Sequence, residues 1–362
     1  MVKKVLSIIT LALVAFIGYQ AFTGEVELNG QMMPMWDALV YSFQHLNPWI
    51  LLILIPEQIL MYYAAGQIYF AFLKQRKNFK MTQMKLTRIS LEINFVNHAL
   101  PSGGASGLGY LIWRLKDLGI TAGQISFVHV LRYGICALAN TVQTFIAIVI
   151  VLIAGCVLPG QHWTLGLAAL VALGIQLVVL TVLLIVRKQK NIDWLSAKAT
   201  AFVNGVMKKI SRGKKRKFLK EDSVNRFFGD LRGDYIELKK NKKVLWKPVI
   251  WGALYSFLEL ATYWVVACSL GHPEVLPQIM IAEGVASVVG TVMVTPGGLG
   301  GYEGAMVLIM VATGVAPSVA VITVIVTRIC VLLGTILSGW GFYQQALMSR
   351  DDKFKVEKKN GK

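Results

Sequence analysis

Val294-Thr295-Pro296-Gly297-Gly298-Leu299-Gly300-Gly301-Tyr302-Glu303 sets one proline and four glycines inside an otherwise apolar stretch. Proline lacks a backbone donor and glycine lacks the Cβ restraint, so the segment is predicted to leave the helical path. At membrane depth the freed N–H and C=O groups find no water, and such a break persists only where protein or a wet cavity surrounds it. A second break, Pro101-Ser102-Gly103-Gly104-Ala105-Ser106-Gly107, lies upstream. The spacing makes the two look like copies of one unit. Pro101 and Pro296 are 195 residues apart, Gly119 and Gly314 also 195, and Arg132 and Arg328 196.

The surroundings of both breaks put the chain in the membrane class. Of its 362 residues 55% are apolar and 15% charged, which is not the composition of a soluble globular domain. The formal net charge is +18, and most of the excess is local. Arg187 to Lys247 holds 19 Lys/Arg against 6 Asp/Glu, including Arg212-Gly213-Lys214-Lys215-Arg216-Lys217. The positive-inside rule makes that stretch cytoplasmic. Apolar residues recur within it at helical spacing, so amphipathic helices resting on anionic inner-leaflet lipids are expected. No RNA-binding signature accompanies the charge, and nucleic acid is not expected as a partner.

The same rule orders the rest. Residues 1–24 are predicted to be a first transmembrane helix, and 25–186 a first membrane repeat with a connecting helix. Residues 187–247 are the basic loop, 248–348 the second repeat and 349–362 a basic cytoplasmic tail, so both termini are expected inside. Leu86 to Pro101 and Gly107 to Lys116 rise only about 24 and 15 Å as helices, short of a ~30 Å core, which predicts a re-entrant hairpin entering from the cytoplasm. No Lys or Arg occurs between Lys247 and Arg328, so Gln278 to Val294 and Ala305 to Gly314 form a hairpin entering from outside, or two full crossings of the same sidedness. The fold expected is an all-α polytopic membrane protein of inverted repeats, each with a Pro/Gly-broken re-entrant helical hairpin. Broken helices of this kind carry the substrate site in secondary transporters; the bland alternative is a duplication that only builds a stable bundle.

Two arginines sharpen the choice. Arg132 and Arg328 fall inside apolar spans, and ionisable groups at such depth face a polar cavity or a partner. Glu92, Glu283 and Glu303 are the candidate protein anions, with Glu57 and Glu259 on neighbouring helices. A phosphate-bearing head group is the external one, since a guanidinium offers phosphate a bidentate fork. His98 and His129 read as satisfied or interfacial polar residues rather than proton carriers. Cys136, Cys156, Cys268 and Cys330 have no metal-ligand spacing, and no nucleotide-binding GxxxxGK[ST] occurs, so no cofactor or metal is expected.

The motif from Thr295 to Glu303, followed by Gly314-Val315 and Arg328, resembles the lysylphosphatidylglycerol synthase transmembrane-region family. Leu100 to Gly104 and Val130-Leu131-Arg132 resemble its first-half signature, and the likeness runs from about Met61 to Tyr343. The family includes the flippase-like membrane domain of the bacterial multiple peptide resistance factor, which moves aminoacylated phosphatidylglycerol across the bilayer. The resemblance implies lipid-translocation roles for Pro296, Gly297, Gly298, Gly300, Glu303 and Arg328, and for Pro101, Gly103, Gly104 and Arg132. It also implies a stand-alone form without the soluble aminoacyl-transferase domain, so lipid charging by this chain alone is not expected; a separate lipid-modifying enzyme would be its partner. The competing expectations are a phosphatidylglycerol lysyltransferase-type lipid-modifying enzyme or its membrane subunit, and a membrane adaptor that recruits a partner through the basic loop.

Overall fold

The computed structural model describes residues 25–28, 31–74, 81–100, 105–155, 162–210, 221–292 and 300–349. The predicted first transmembrane helix and the basic tail lie outside these residues. Strands β1 (Glu25–Leu28) and β2 (Gln31–Pro34) form an antiparallel hairpin. Helices α1 (Met35–His45), α2 (Pro48–Leu51) and α3 (Leu54–Leu73) follow. Next come α4 (Gln83–Ala99), α5 (Ala105–Leu115), α6 (Ala122–Ala154) and α7 (Trp163–Arg187). The basic connection holds α8 (Gln189–Ile210) and α9 (Glu221–Lys240). The second half is α10 (Trp246–Ser269), α11 (Leu276–Val292), α12 (Gly301–Ala312) and α13 (Pro317–Thr335), which continues through a π-helical turn, Ile336–Trp340, to Ser349.

The chain is an all-α polytopic membrane protein. Among the described residues, five helical stretches are long and apolar enough to cross a bilayer: Pro48–Leu73, Ala122–Ala154, Trp163–Arg187, Lys242–Ser269 and Pro317–Ser349. Helices α4 and α5, and α11 and α12, are shorter and pack as two pairs. The 195-residue offset survives in three dimensions, because Ala122–Ala154 and Pro317–Ser349 are both 33 residues long and begin 195 apart. Thr121 starts the first of these with a reciprocal cap. Its Oγ1 accepts the Gln124 N–H at 3.2 Å, and its own N–H donates to Gln124 Oε1 at 3.2 Å.

Helices α3 and α10 occupy equivalent places in the two halves and share the most extensive helix pairing. They run antiparallel. The Asn47 N–H, just before α2, donates to the Ser269 carbonyl at the end of α10 (2.8 Å), and Gln58 Nε2 on α3 donates to Thr262 Oγ1 (3.1 Å). Opposed directions in equivalent helices are what inverted repeats require. The hairpins then cross over: α11 packs on α6 of the first half, and α4 packs on the π-turn of the second. Each half thus covers the short helices of the other, and buried Ala147, Val151, Ile279, Ala282 and Met306 form one shared core.

The hairpin β1–β2 is a small addition to this helical architecture. Met32 and Met33 sit on β2, and Met33 packs against the buried cluster that holds Leu39, Val266 and Ile322. Its formation is local, since the two strands are joined by Asn29-Gly30, a turn-favouring pair.

Close approach of α3 and α4 depends on Gly66. A Cβ there would lie 2.7 Å from the Thr87 backbone nitrogen and 2.8 Å from its Cα. Gly66→Ala is therefore expected to destabilise by about 1–3 kcal/mol, read as a lower Tm of the detergent-solubilised protein. Gly109→Ala on α5, whose Cβ would meet nothing within 4 Å, serves as the control and is expected to be neutral or slightly stabilising. Equal Tm changes for the two would contradict the packing argument.

Candidate functional site

Arg132 lies on the third turn of α6 and enters a cage of tyrosines from three helices. Its guanidinium stands over the rings of Tyr255 (4.9 Å), Tyr69 (5.4 Å) and Tyr133 (5.8 Å). Nη1 donates to Tyr69 Oη at 3.2 Å, and that hydroxyl also bonds His129 Nδ1 at 2.8 Å. His129 is thereby held as a satisfied buried residue. Cation–π contacts are worth more when desolvated, but they supply no counter-charge. Among the described residues, Arg132 Nε has no hydrogen-bond acceptor.

Arg328, the equivalent position on α13, is wired differently. It makes an ion pair with Glu303 on the first turn of α12 and stands 4.6 Å over the Tyr302 ring. Glu303 Oε2 also accepts the Gly300 N–H at 2.7 Å, which closes the start of α12 behind the second break. Gly300 has φ of 88°, a conformation that glycine enters without steric cost. Of the three candidate anions, Glu303 is thus the one in direct contact with Arg328.

Glu259 lies on α10 one turn from Tyr255, which meets Arg132, and one turn from Tyr263, which packs on the Tyr302 ring that meets Arg328. Glu283 is 1% exposed; its Oε1 accepts from Asn140 Nδ2 at 3.1 Å, while Oε2 has no partner among the described residues. The centre therefore combines two guanidinium groups, one from each half, with carboxyl groups of α10, α11 and α12 and a wall of tyrosines. Sequence reasoning named Glu259 only as a neighbour. Its single signal was an acid inside an apolar span, with no motif around it.

Two other acids are engaged elsewhere. Glu92, fully buried, accepts from Arg114 Nε (2.7 Å) and Nη2 (3.1 Å), Tyr110 Oη (2.8 Å) and Arg88 Nε (3.2 Å). It fastens α4 to α5 inside the first hairpin rather than meeting Arg132. Glu57 accepts from Gln58 and Thr262 and ties α3 to α10. Pro101, Gly103, Gly104, Pro296, Gly297 and Gly298 lie outside the described residues. Among the described residues the flanking helices run to Ala99 and Val292 and from Ala105 and Gly301.

Apolar spans around a charged, aromatic-walled centre between two repeats define an integral membrane protein with a polar site at its core. The family model for the lysylphosphatidylglycerol synthase TM region matches residues 33–339, and the chain belongs to that family. Membership assigns it a lipid-related membrane function. No curated protein and no solved structure matches the chain.

Proposed function

We propose that the protein binds the phosphate of an anionic phospholipid, such as phosphatidylglycerol or its lysyl derivative, at the Arg132–Arg328 centre and moves it between leaflets. The observation that carries this reading is the placement of one largely buried arginine from each half against the tyrosine wall, Arg132 on Tyr255 of α10 and Arg328 on Tyr302, whose ring meets Tyr263 two turns further along α10. A phosphate can take the place of a carboxyl group as counter-charge to either guanidinium, and inverted repeats with broken helices suit exposure of one site to two faces. Cytoplasmic termini follow from the charge distribution. Exposed Trp194 and Phe202 on α8 support seating of the basic connection on anionic inner-leaflet lipid.

The test is leaflet exchange of labelled lipids in proteoliposomes. Wild type is expected to exchange phosphatidylglycerol or lysyl-phosphatidylglycerol faster than phosphatidylcholine. Arg132→Ala is expected to slow that exchange about tenfold, the size of one charge-assisted hydrogen bond to phosphate. Equal exchange of all lipids, or none by folded protein, would remove the proposal and favour a lipid-modifying subunit.

A further inference from the structure

A cavity with a mainly apolar lining and several polar side chains opens where the end of α3 meets the start of α10. It encloses about 390 Å³, within the range of small-ligand sites, and Tyr63, Gln67, Lys74, Gln83, Lys247 and Trp251 line it. Tyr63, Gln67 and Lys74 form one stripe of α3 at helical spacing, whereas Tyr69 is turned to His129 and the arginine centre. The cavity is thus a different place from the centre described above.

Its chemistry points to an anion. Lys74 and Lys247 bring two ammonium groups to one cavity, and among the described residues neither is in a salt bridge. Gln67 is 4% exposed, and among the described residues its Nε2 has no hydrogen-bond acceptor. A buried donor left without a partner is costly, and an oxygen of a bound group would satisfy it. Tyr63 Oη donates to Gln83 Oε1 at 3.2 Å, and the Tyr63 ring meets Trp251 edge-on at 5.6 Å, so the wall is held in place. Two cations, one unsatisfied amide donor and an aromatic wall match a phosphate carried on an organic body.

The surroundings point to a lipid as that body. Both lysines sit at the ends of membrane spans that the charge distribution places at the cytoplasmic face. Ile250 is 46% exposed and Trp246 70% exposed beside the cavity, an apolar approach suited to acyl chains. We propose that this cavity binds the phosphate of an inner-leaflet anionic phospholipid, as a site separate from the arginine centre. The proposal takes its class of ligand from the function proposed above but does not depend on translocation.

Native mass spectrometry of the full-length protein in detergent, titrated with phosphatidylglycerol, tests it. Wild type is expected to hold one phosphatidylglycerol at the cavity that phosphatidylcholine does not replace. Lys74→Gln/Lys247→Gln, which changes only exposed side chains, and Gln67→Leu, which removes the donor at similar size, are each expected to weaken that binding about tenfold. Retention of all bound phosphatidylglycerol by these variants at wild-type Tm would overturn the proposal. Displacement by glycerol 3-phosphate at equal concentration would assign the cavity to a soluble phosphate ester and overturn the lipid assignment. Loss of lipid only in Arg132→Ala/Arg328→Ala would implicate the centre and count against the cavity. Leaflet exchange that fails while cavity binding persists would overturn translocation alone.

Discussion

Glu92→Ala is expected to lower stability by about 3–5 kcal/mol, because it leaves two arginines of the first hairpin without their shared counter-charge. Glu92 is fully buried, and Arg114 beside it is only 18% exposed, so water cannot substitute for the lost carboxylate. Glu92→Gln keeps the shape and one acceptor oxygen, and should retain part of the stability while losing the charge. The measurement is thermal unfolding in detergent for Glu92→Ala, Glu92→Gln and the compensating Glu92→Ala/Arg114→Leu. Removing Arg114 with its partner should recover stability relative to the single variant, since a missing pair is less costly than a widowed charge. A single variant that unfolds like wild type would show that Glu92 does not hold α4 and α5 together.

The double variant Arg132→Ala/Arg328→Ala is expected to reduce exchange of anionic phospholipid about a hundredfold. Each guanidinium contributes on the order of a tenfold factor, and the two lie on different halves, so neither can replace the other. Loss of activity alone could report misfolding, because Arg328 also pairs with Glu303. Glu259→Gln supplies the control. It keeps both arginines and removes the acid that would compete with phosphate for them under the proposed function. That variant is expected to bind phosphatidylglycerol about tenfold more tightly and to release it more slowly, lowering exchange through retention rather than loss of binding. Weaker binding in Glu259→Gln would mean that the acid positions the lipid instead of competing with it.

Much of the architecture was legible because it rests on periodicity and charge. Proline and glycine at fixed offset marked both breaks; beside them α4 ends at Ala99 with Leu100 extended, and α12 begins at Gly301 with Gly300 at positive φ. The basic loop resolved into two amphipathic helices, α8 and α9, with Ile192 buried and Phe202 exposed. At the second hairpin the choice between re-entry and full crossing turns on length, and α11 and α12 are each shorter than the spanning helices. The pairing of charges was less legible. Glu303 and Arg328 are 25 residues apart and meet because α12 folds back on α13. Glu92 was a candidate for Arg132 by membrane depth alone, yet Arg88 lies one turn away and Arg114 directly across the hairpin. Partner choice depends on which helices touch, and a single sequence does not show that. Glu259 lacked any motif, and the Lys74–Lys247 cavity joins residues 173 apart that share no pattern.

The two hairpins, alike in sequence, have unlike electrostatic connections. Glu92 ties the first hairpin to itself, whereas Glu303 ties the second to α13. Under the proposed translocation the two faces are inequivalent, so loading from one leaflet and release into the other need not proceed at equal rates. Detailed balance limits what that inequality can accomplish. Without an external driving force it alters how quickly the leaflets equilibrate and where the carrier rests, but it produces no net flux. Any sustained lipid asymmetry across this protein must draw on a gradient, a membrane potential or consumption of the lipid on one side.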